Sequence, residues 1–198
     1  MIAIVDYGAG NLTSVYRAIR HIGHECVITS DPAQLKRADK TIIPGVGHFK
    51  ATRTLSADPL SSALREFIAA DKPLLGVCLG LQWMFDGSDE APELSGLGVF
   101  DGRCSRFSDQ VKTPHVGWNQ IAVDPQSRLL QGVPSNSYVY YTHSYRAPAC
   151  SRTVALCTYE IPFTAAAESG NLFGVQFHPE KSGATGLKLL QNFCDLLC

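Results

Sequence analysis

The stretch Pro73-Leu-Leu-Gly-Val-Cys-Leu-Gly-Leu-Gln82 decides the fold of this chain. Its apolar run Leu74–Val77 has the length of a buried strand, and a helix-like run, Leu79–Phe85, follows. Cys78 stands between them with a glycine two residues away on each side, which is the cysteine form of a nucleophile elbow. A helix N-terminus favours the thiolate of such a cysteine. The alternative is a small core residue, because free cysteines are often buried.

Composition limits the classes of protein to which the chain can belong. Its 198 residues, 45% hydrophobic and 18% charged, suit one domain, 1–198, with a sizeable core. A formal net charge of -1, with no basic run longer than two residues, argues against nucleic acid or an acidic membrane as partner. We expect no transmembrane segment, because no apolar run approaches the ~20 residues that cross a bilayer.

The cysteines and the amino terminus indicate a cytosolic protein. The seven cysteines are odd in number and scattered, with no C-x-x-C pair, so they predict neither a disulfide framework nor a metal site. Met1 leads directly into the strand-like run Ile2–Val5 without a basic leader, so we expect no signal peptide. These features together predict a reducing, cytoplasmic location.

The N-terminal half alternates strands with helices. Apolar runs predict strands at Ile2–Asp6, Cys26–Thr29, Lys40–Ile43 and Leu74–Val77, and helical spacing predicts helices at Leu12–Ile22, from about Phe49 to a break at Asp58-Pro59, and at Leu60–Ala70. Such alternation implies a parallel sheet with helices on both faces.

Two glycine loops follow predicted strands in this half. Gly8-Ala-Gly10 resembles the start of a dinucleotide fingerprint, but Thr13 occupies the position of the third glycine. NAD binding is therefore disfavoured, and we expect no cofactor. Gly45-Val-Gly47 ends the third strand, at the edge of the sheet where ligands bind. It is either a plain tight turn or a source of amides for an oxyanion.

From Gly96 onward strands follow one another. The candidates are Val99–Phe107, His115–Val123, Tyr138–Arg146, Thr153–Glu160, Phe163–Glu168 and Leu172–Phe177, with helices only at Arg128–Gln131 and Ala184–Leu197. Antiparallel hairpins would then extend the parallel core. The predicted fold class is α/β, with a central, mostly parallel sheet flanked by helices and antiparallel extensions.

The segment Phe177-His-Pro-Glu180 supplies a second candidate for chemistry. His178 and Glu180 are two residues apart, so in an extended chain they share a side. A carboxylate beside an imidazole holds one tautomer and supports the cation. Alone, such a pair is usually two solvated side chains. With Cys78 it completes a Cys–His–Glu arrangement.

Together, Gly76-Val-Cys-Leu-Gly-Leu-Gln82 and Phe177-His-Pro-Glu180 resemble the signature of the class I, triad-type glutamine amidotransferases, which have a flavodoxin-like fold. Further stretches are similar to the glutaminase subunits of imidazole glycerol phosphate synthase within that family. These are Asp6-Tyr-Gly-Ala-Gly-Asn11, Pro44-Gly-Val-Gly-His-Phe49, His115-Val-Gly-Trp-Asn119 and Tyr141-Thr-His-Ser-Tyr145. The resemblance spans the chain, with the segments Asp86–Leu97 and Ala147–Arg152 unmatched.

The resemblance implies a reaction. Cys78 attacks the side-chain amide carbon of L-glutamine, and His178, oriented by Glu180, carries protons to ammonia and from water. The oxyanion is held by the amide of Leu79 and by one from the Gly45–Gly47 loop, at Val46 or Gly47. The residues implied to hold glutamine are Gln82, Glu90, His143, Ser144 and Tyr145. Glu90 is equally consistent with a solvated loop acid.

The resemblance also implies a partner. Family members pass ammonia to a (β/α)₈-barrel cyclase subunit, which makes imidazole glycerol phosphate and an aminoimidazole carboxamide ribotide (AICAR) in histidine biosynthesis. The candidates for this heterodimer interface are Asn11, Trp118, Asn119 and Lys181. A tryptophan in a strand is often a core residue instead, although Trp is favoured at interfaces.

Two other functions remain open on the sequence alone. One is a glutaminase serving pyridoxal phosphate synthesis or anthranilate formation, against which the stretches Asp6–Asn11 and His115–Asn119 argue. The other is a non-enzymatic or peptidase-like relative that uses the same elbow for redox sensing.

Overall fold

The computed structural model describes residues 1–196, and its elements follow the predicted alternation. The strands are β1 Ile2–Val5, β2 Cys26–Thr29, β3 Lys40–Gly45, β4 Leu74–Cys78, β5 Phe85–Ser88, β6 Phe100–Arg106, β7 His115–Val123, β8 Ser137–His143, β9 Tyr145–Arg146, β10 Thr153–Thr158, β11 Pro162–Ser169 and β12 Leu172–Val175. The α-helices are α1 Leu12–His21, α2 Pro32–Arg37, α3 Leu60–Ala69, α4 Leu79–Met84 and α5 Gly183–Asp195, with 3₁₀ turns at Phe49–Thr54 and Pro179–Lys181.

Both halves of the chain contribute to one large sheet. Within residues 1–196 its nine strands run in the order β2-β1-β3-β4-β12-β11-β10-β7-β8. Strands from β2 to β12 pair in parallel, and those from β12 to β8 pair antiparallel. A smaller sheet, β5-β6-β9, lies apart from it. The predicted α/β fold with antiparallel extensions is confirmed.

The central parallel strands β1, β3 and β4 are buried on both faces, as covered parallel sheets require, whereas the edge strand β2 is partly exposed. Along β4, Leu75 and Val77 enter one hydrophobic cluster and Leu74 enters the other. Helices α1 and α5 contribute to the first cluster, and α2 and α3 contribute to the second. The carboxyl ends of β3, β4 and β12 therefore meet at one edge, which is where α/β folds place their sites.

One predicted helix is wrong, and one helix of the structure was not predicted. The segment Arg128–Gln131 is a turn, because the Glu168 carboxylate accepts from the backbone N–H of Leu129 at 2.9 Å and also from that of Arg128. These donors are thereby satisfied without helical bonds. Helix α2 was missed, although Asp31 caps it and Pro32 begins it, both of which are helix-start signals. The closing helix ends at Asp195, and Leu197 lies outside the described residues.

The predicted strand Tyr138–Arg146 is broken at Ser144. Strand β8 pairs with β7 in the large sheet, whereas β9 pairs with β6 in the small one. The carbonyl of Ser144 accepts from the Phe107 amide at 3.1 Å, which holds the crossing point between the sheets. The break therefore directs Ser144 away from the regular ladder.

No helix within residues 1–196 combines the length and the apolar character that crossing a bilayer demands.

Candidate active site

Cys78 occupies the sharp turn between β4 and α4. Its φ of +54° is a left-handed conformation that non-glycine residues rarely adopt, and such strain is common at functional turns. The two flanking glycines make the turn possible. A Cβ on Gly76 would lie 2.6 Å from the carbonyl carbon of Gly80, and one on Gly80 would overlap the carbonyl oxygen of Ile43. The predicted strand–turn–helix at Cys78 is therefore present.

The thiol of Cys78 opens into a cavity of about 230 Å³. The cavity is lined by Gly47, Cys78, Leu79, Gln82, Glu90, Pro114, Thr142, His143, Ser144 and Tyr145. The structure thus brings together the nucleophile candidate and all five residues predicted to hold glutamine. Although Cys78 is only 5% exposed, it lies at a cavity wall and is not sealed in the core.

His178 and Glu180 form a buried pair next to the elbow. The Nδ1 atom of His178 lies 2.9 Å from Oε1 of Glu180, and both side chains are 1% exposed. The interpretation as two solvated side chains is therefore wrong. Since the carboxylate accepts at Nδ1, the hydrogen bond that His178 shares with Cys78 falls to the other ring nitrogen, the buried Nε2. That atom is available to act on a substrate.

The pKa of His178 reflects three competing influences. Burial alone would lower it, but the negative charge of Cys78 and a hydrogen bond with its sulfur, together with the hydrogen bond and charge of Glu180, raise the pKa of this imidazole to about 10. The direction follows from two anions facing one buried ring. The arrangement favours the imidazolium form of His178 at neutral pH.

The glycine loop lies beside the nucleophile. Gly45 pairs in register with Cys78 across β3 and β4, and Gly47, with φ of +112°, lines the cavity. Leu79 begins α4, so its backbone N–H belongs to the unpaired first turn. Val46 is half-buried and is not part of the cavity wall. The loop therefore places Gly47 nearer the cavity than Val46.

Glu90 is tied to the segment that follows this loop. Its Oε2 atom accepts from the backbone N–H of Phe49 at 2.7 Å, and the residue is half-buried at the cavity wall. The Glu90 carboxylate is therefore anchored and only partly open to solvent. The second carboxylate oxygen remains for a cation in the cavity.

Gln82 uses its amide nitrogen internally. The Nε2 atom donates to the carbonyl of Tyr145 at 2.8 Å and to Oε1 of Gln176 at 3.2 Å. Both hydrogens are thereby occupied, which leaves only the Oε1 atom of Gln82 to meet a ligand, as an acceptor.

His143 belongs to a buried chain of hydrogen bonds. Its Nδ1 atom lies 2.8 Å from the Tyr145 carbonyl, and its Nε2 atom lies 3.2 Å from Nδ1 of His115. The amide of Asn119 meets the other nitrogen of His115 at 3.4 Å and donates to the carbonyl of Thr158 at 3.1 Å. This series of hydrogen bonds ends at the Tyr145 carbonyl on one side and the Thr158 carbonyl on the other, and both oxygens can only accept. Each histidine ring therefore fits in only one tautomer, with its proton on Nδ1.

Burial keeps both of these rings neutral. It lowers the pKa of His143 to about 3 and that of His115 to about 4. Since both nitrogens of His143 already have protein partners, its ring offers no free donor to glutamine. The contact of His143 with substrate stays a prediction, and the ring nitrogens already have partners in the protein.

The four predicted interface residues lie in different settings. Trp118 is 55% exposed, so its interpretation as a core residue is wrong. Lys181 lies over the ring of Tyr140 at 5.8 Å. Asn119 follows Trp118 in the strand and so points to the opposite face, where it holds His115. Asn11 caps α1, accepting from the Ser14 amide at 3.3 Å.

Sequence reasoning missed Gln176. Its Nε2 atom lies 3.7 Å from the sulfur of Cys78, and the residue is fully buried. A signal was available, because Gln176 stands two residues before His178 and shares its side of an extended chain.

Comparison with known proteins agrees with this geometry. The family model described as "Glutamine amidotransferase class-I" matches residues 3–196. Curated relatives named "Imidazole glycerol phosphate synthase subunit HisH" include one from Thermococcus kodakarensis, 45% identical with 98% of each chain covered. Another, from Methanothermobacter thermautotrophicus, is 44% identical and covers 100% of this chain and 99% of the relative.

Solved structures share the fold at lower identity. One described as a glutamine amidotransferase has a TM-score of 0.76 at 16% identity, covering 98% of this chain and 100% of that one. PurLQS from Thermotoga maritima has a TM-score of 0.72 at 18% identity, covering 98% and 97%. From the family model and the curated relatives together, the chain belongs to the class I glutamine amidotransferase family.

Proposed function

We propose that this chain is the glutaminase subunit of an imidazole glycerol phosphate synthase, hydrolysing glutamine and passing ammonia to a (β/α)₈-barrel cyclase. One observation carries the proposal. Cys78 opens into a cavity lined by acceptors suited to glutamine, beside a buried His178–Glu180 pair. The similarity of this chain to HisH subunits supports imidazole glycerol phosphate synthase as the enzyme that this glutaminase would serve.

The chemistry follows from the charges at the elbow. The Cys78 thiolate adds to the amide carbon of glutamine, and the oxygen becomes an oxyanion facing the amides of Leu79 and Gly47 or Val46. His178 gives its Nε2 proton to the departing nitrogen, and ammonia leaves with formation of a thioester. Water then attacks the thioester while His178 takes its proton. The C–S bond breaks, releasing glutamate and restoring the thiolate.

The cavity also suits the other end of glutamine. The free carboxylate oxygen of Glu90 and the Oε1 atom of Gln82 are both acceptors, which matches an α-ammonium group. Ser144 lies where the chain crosses between sheets, so its backbone N–H is spared from the ladder at the cavity wall, while its carbonyl accepts from Phe107. The binding site thus selects a small zwitterion with a side-chain amide.

The partner docks on what we call the aromatic face of β7 and β8. This face consists of Val116, Trp118, Tyr138 and Tyr140, with Lys181 beside them. It adjoins the cavity, because Val116 pairs with Thr142 at the cavity wall. Exposed aromatic groups with a cation are typical of protein interfaces. The cyclase would use ammonia there to make imidazole glycerol phosphate and AICAR.

The two halves act as one domain. The large sheet contains strands of both, and the cavity is lined from both sides of the junction. Cys78 comes from the parallel half, whereas Thr142 and Tyr145 come from the antiparallel half. Separating the halves would divide the site.

Replacing Cys78 tests the proposed reaction. In the complex with the barrel subunit, Cys78→Ala is expected to lower glutamine-dependent synthesis by about 10⁴-fold or more. Synthesis from added ammonia should persist, because the cyclase does not need the thiol. Loss of both reactions, or retention of both, contradicts the proposal.

Replacing Trp118 tests the aromatic face. Trp118→Ala is expected to weaken binding of the barrel subunit by about 30-fold or more, as truncation of a central aromatic residue does. The matched control is Ile28→Ala on β2, an exposed residue at the other edge of the sheet. Calorimetric titration measures both. Equal affinity of the two variants contradicts this docking face.

A further inference from the structure

We propose that Gln176 is a catalytic residue of the glutaminase reaction, whose side-chain amide donates to the sulfur of Cys78 and holds it as the thiolate. The inference rests on the proposed function for its reaction, but its geometry stands alone. The Nε2 atom of Gln176 lies 3.7 Å from Sγ of Cys78, within the range of an N–H···S hydrogen bond. Gln176 is 0% exposed, so water does not compete for this donor.

The direction of this bond is set by a backbone carbonyl. The oxygen of Tyr145 can only accept, so the group of Gln82 that meets it at 2.8 Å is the amide NH₂. The second hydrogen of that NH₂ points to Gln176, which must therefore present its oxygen, at 3.2 Å. The nitrogen of Gln176 is then the atom that faces sulfur. Flipping the Gln82 amide would place its oxygen against the Tyr145 carbonyl oxygen, and flipping the Gln176 amide would place two NH₂ groups against each other.

The backbone positions Gln176 on the same side as His178. The amide of Gln176 donates to the Ala165 carbonyl and that of His178 donates to the Tyr140 carbonyl, each at 2.9 Å. Phe177, between them, is buried in the core on the opposite side. The thiol therefore has two nitrogen groups from one short segment near it, an imidazole and an amide.

The two groups have complementary chemistry. The imidazole exchanges protons during the reaction, so its contribution to the charge on sulfur changes from step to step. The carboxamide of Gln176 does not titrate and keeps its hydrogen throughout. A hydrogen bond to the charged form of a group favours that form, and it is strong in a water-excluded site. Gln176 thus supports the thiolate before attack and again when the thioester breaks.

The test measures the pH profile of alkylation at Cys78. Iodoacetamide reacts with the full-length chain at a series of pH values, and mass spectrometry follows the Cys78 peptide apart from the other cysteines. The variants are Gln176→Met, which keeps length and removes the donor, and Gln176→Glu, which keeps the acceptor for Gln82. The matched control is Gln191→Met, whose amide meets His24 and Asp195, away from Cys78.

The midpoint of the profile is expected to rise by about one pH unit in Gln176→Met, the tenfold effect of a hydrogen bond to a charged group. It should rise further in Gln176→Glu, because a carboxylate then faces the sulfur, and it should not move in Gln191→Met. In the complex, the kcat for glutamine should fall about tenfold in Gln176→Met with KM little changed, while synthesis from added ammonia persists.

An unchanged midpoint in Gln176→Met overturns the proposal. If Gln176→Met does not fold, the near-isosteric Gln176→Glu provides the test instead. An alkylation midpoint in Gln176→Glu at or below that of the unmodified chain then overturns the proposal. The proposed function fails separately, if the unmodified complex does not turn over glutamine. The alkylation profile would still report on Gln176 in that case.

Discussion

Two buried histidine regions lie near Cys78, and they hold their rings in opposite protonation states. One contains His178 with Glu180, and the other contains His143 with His115. Burial favours the neutral ring in both, yet Cys78 and Glu180 raise the pKa of His178 to about 10, whereas that of His143 is lowered to about 3. The comparison shows that the charge of the partner, not the depth of burial, decides which imidazole can exchange protons.

The largest expected difference between the regions is catalytic. In the complex, His178→Asn should lower glutamine hydrolysis by about 10³-fold or more, because it removes the proton carrier. His143→Asn should lower it by about tenfold or less, since this ring only orders the wall of the cavity. Steady-state glutamate release measures both variants. Similar losses in the two would break the comparison.

Glu180→Gln separates charge from shape in the first region. It preserves the size of the side chain but removes a charge that raises the pKa of His178. The expected results are a loss of about 10²-fold in glutamine hydrolysis and a His178 titration midpoint nearer to 6.5. An NMR titration of the ring follows the second effect, and an unmoved midpoint would show that Cys78 alone sustains the cation.

The second region predicts lower stability in acid. The pKa values of His143 and His115 are lowered to about 3 and about 4 in the folded chain, whereas an unfolded histidine titrates near 6.5. Between those limits only the unfolded state takes up these protons. The free energy of unfolding should therefore decrease as the pH is lowered from about 6.5 to 4, by about 1.4 kcal/mol per pH unit for each ring.

Urea denaturation at pH 4.5 and 6.5 measures this slope. His115→Phe keeps the stacking with Tyr159 and Tyr141 but removes one titrating group. The slope of this variant should be shallower by about 1.4 kcal/mol per pH unit. An equal slope in both chains would mean that His115 is charged in the fold.

The smallest effect is expected where the second region ends, at Asn119. Asn119→Leu should lower the free energy of unfolding by about 1 kcal/mol, because it removes the donor to the Thr158 carbonyl and to His115. Gln120→Leu, on the exposed face of the same strand, should change it by less than about 0.5 kcal/mol. If instead Asn119→Leu changes only the affinity for the barrel subunit, its side chain belongs to the interface.

Local sequence signals predicted most elements of the parallel half. Strand β4 and the elbow are recognisable because a short apolar run, two glycines and a helical run follow one another without long-range help. The turn at Arg128–Gln131 was predicted as a helix because its spacing is helical. The carboxylate that captures its backbone belongs to Glu168, about 40 positions away, which local patterns do not reveal.

The sequence predicted those residues of the candidate site that belong to recognisable motifs. Cys78, His178 and the residues implied to hold glutamine were identified by type and order, and the cavity brings Cys78 and those glutamine residues together. The direction in which Asn119 points was not identified, because it depends on which face of β7 is buried. Gln176 was overlooked because a buried amide reveals its role only through the atoms that it contacts.

By itself, the sequence determined the nucleophile elbow, the His178–Glu180 spacing and the alternation that builds a parallel sheet. Each of these depends on interactions within a few residues, which the order of side chains dictates directly. Only the tertiary structure decided that His178 is charged while His143 is neutral, and that an amide from Gln176 meets the sulfur of Cys78. These depend on atoms brought together from distant strands, where burial strengthens every charge and hydrogen bond that remains.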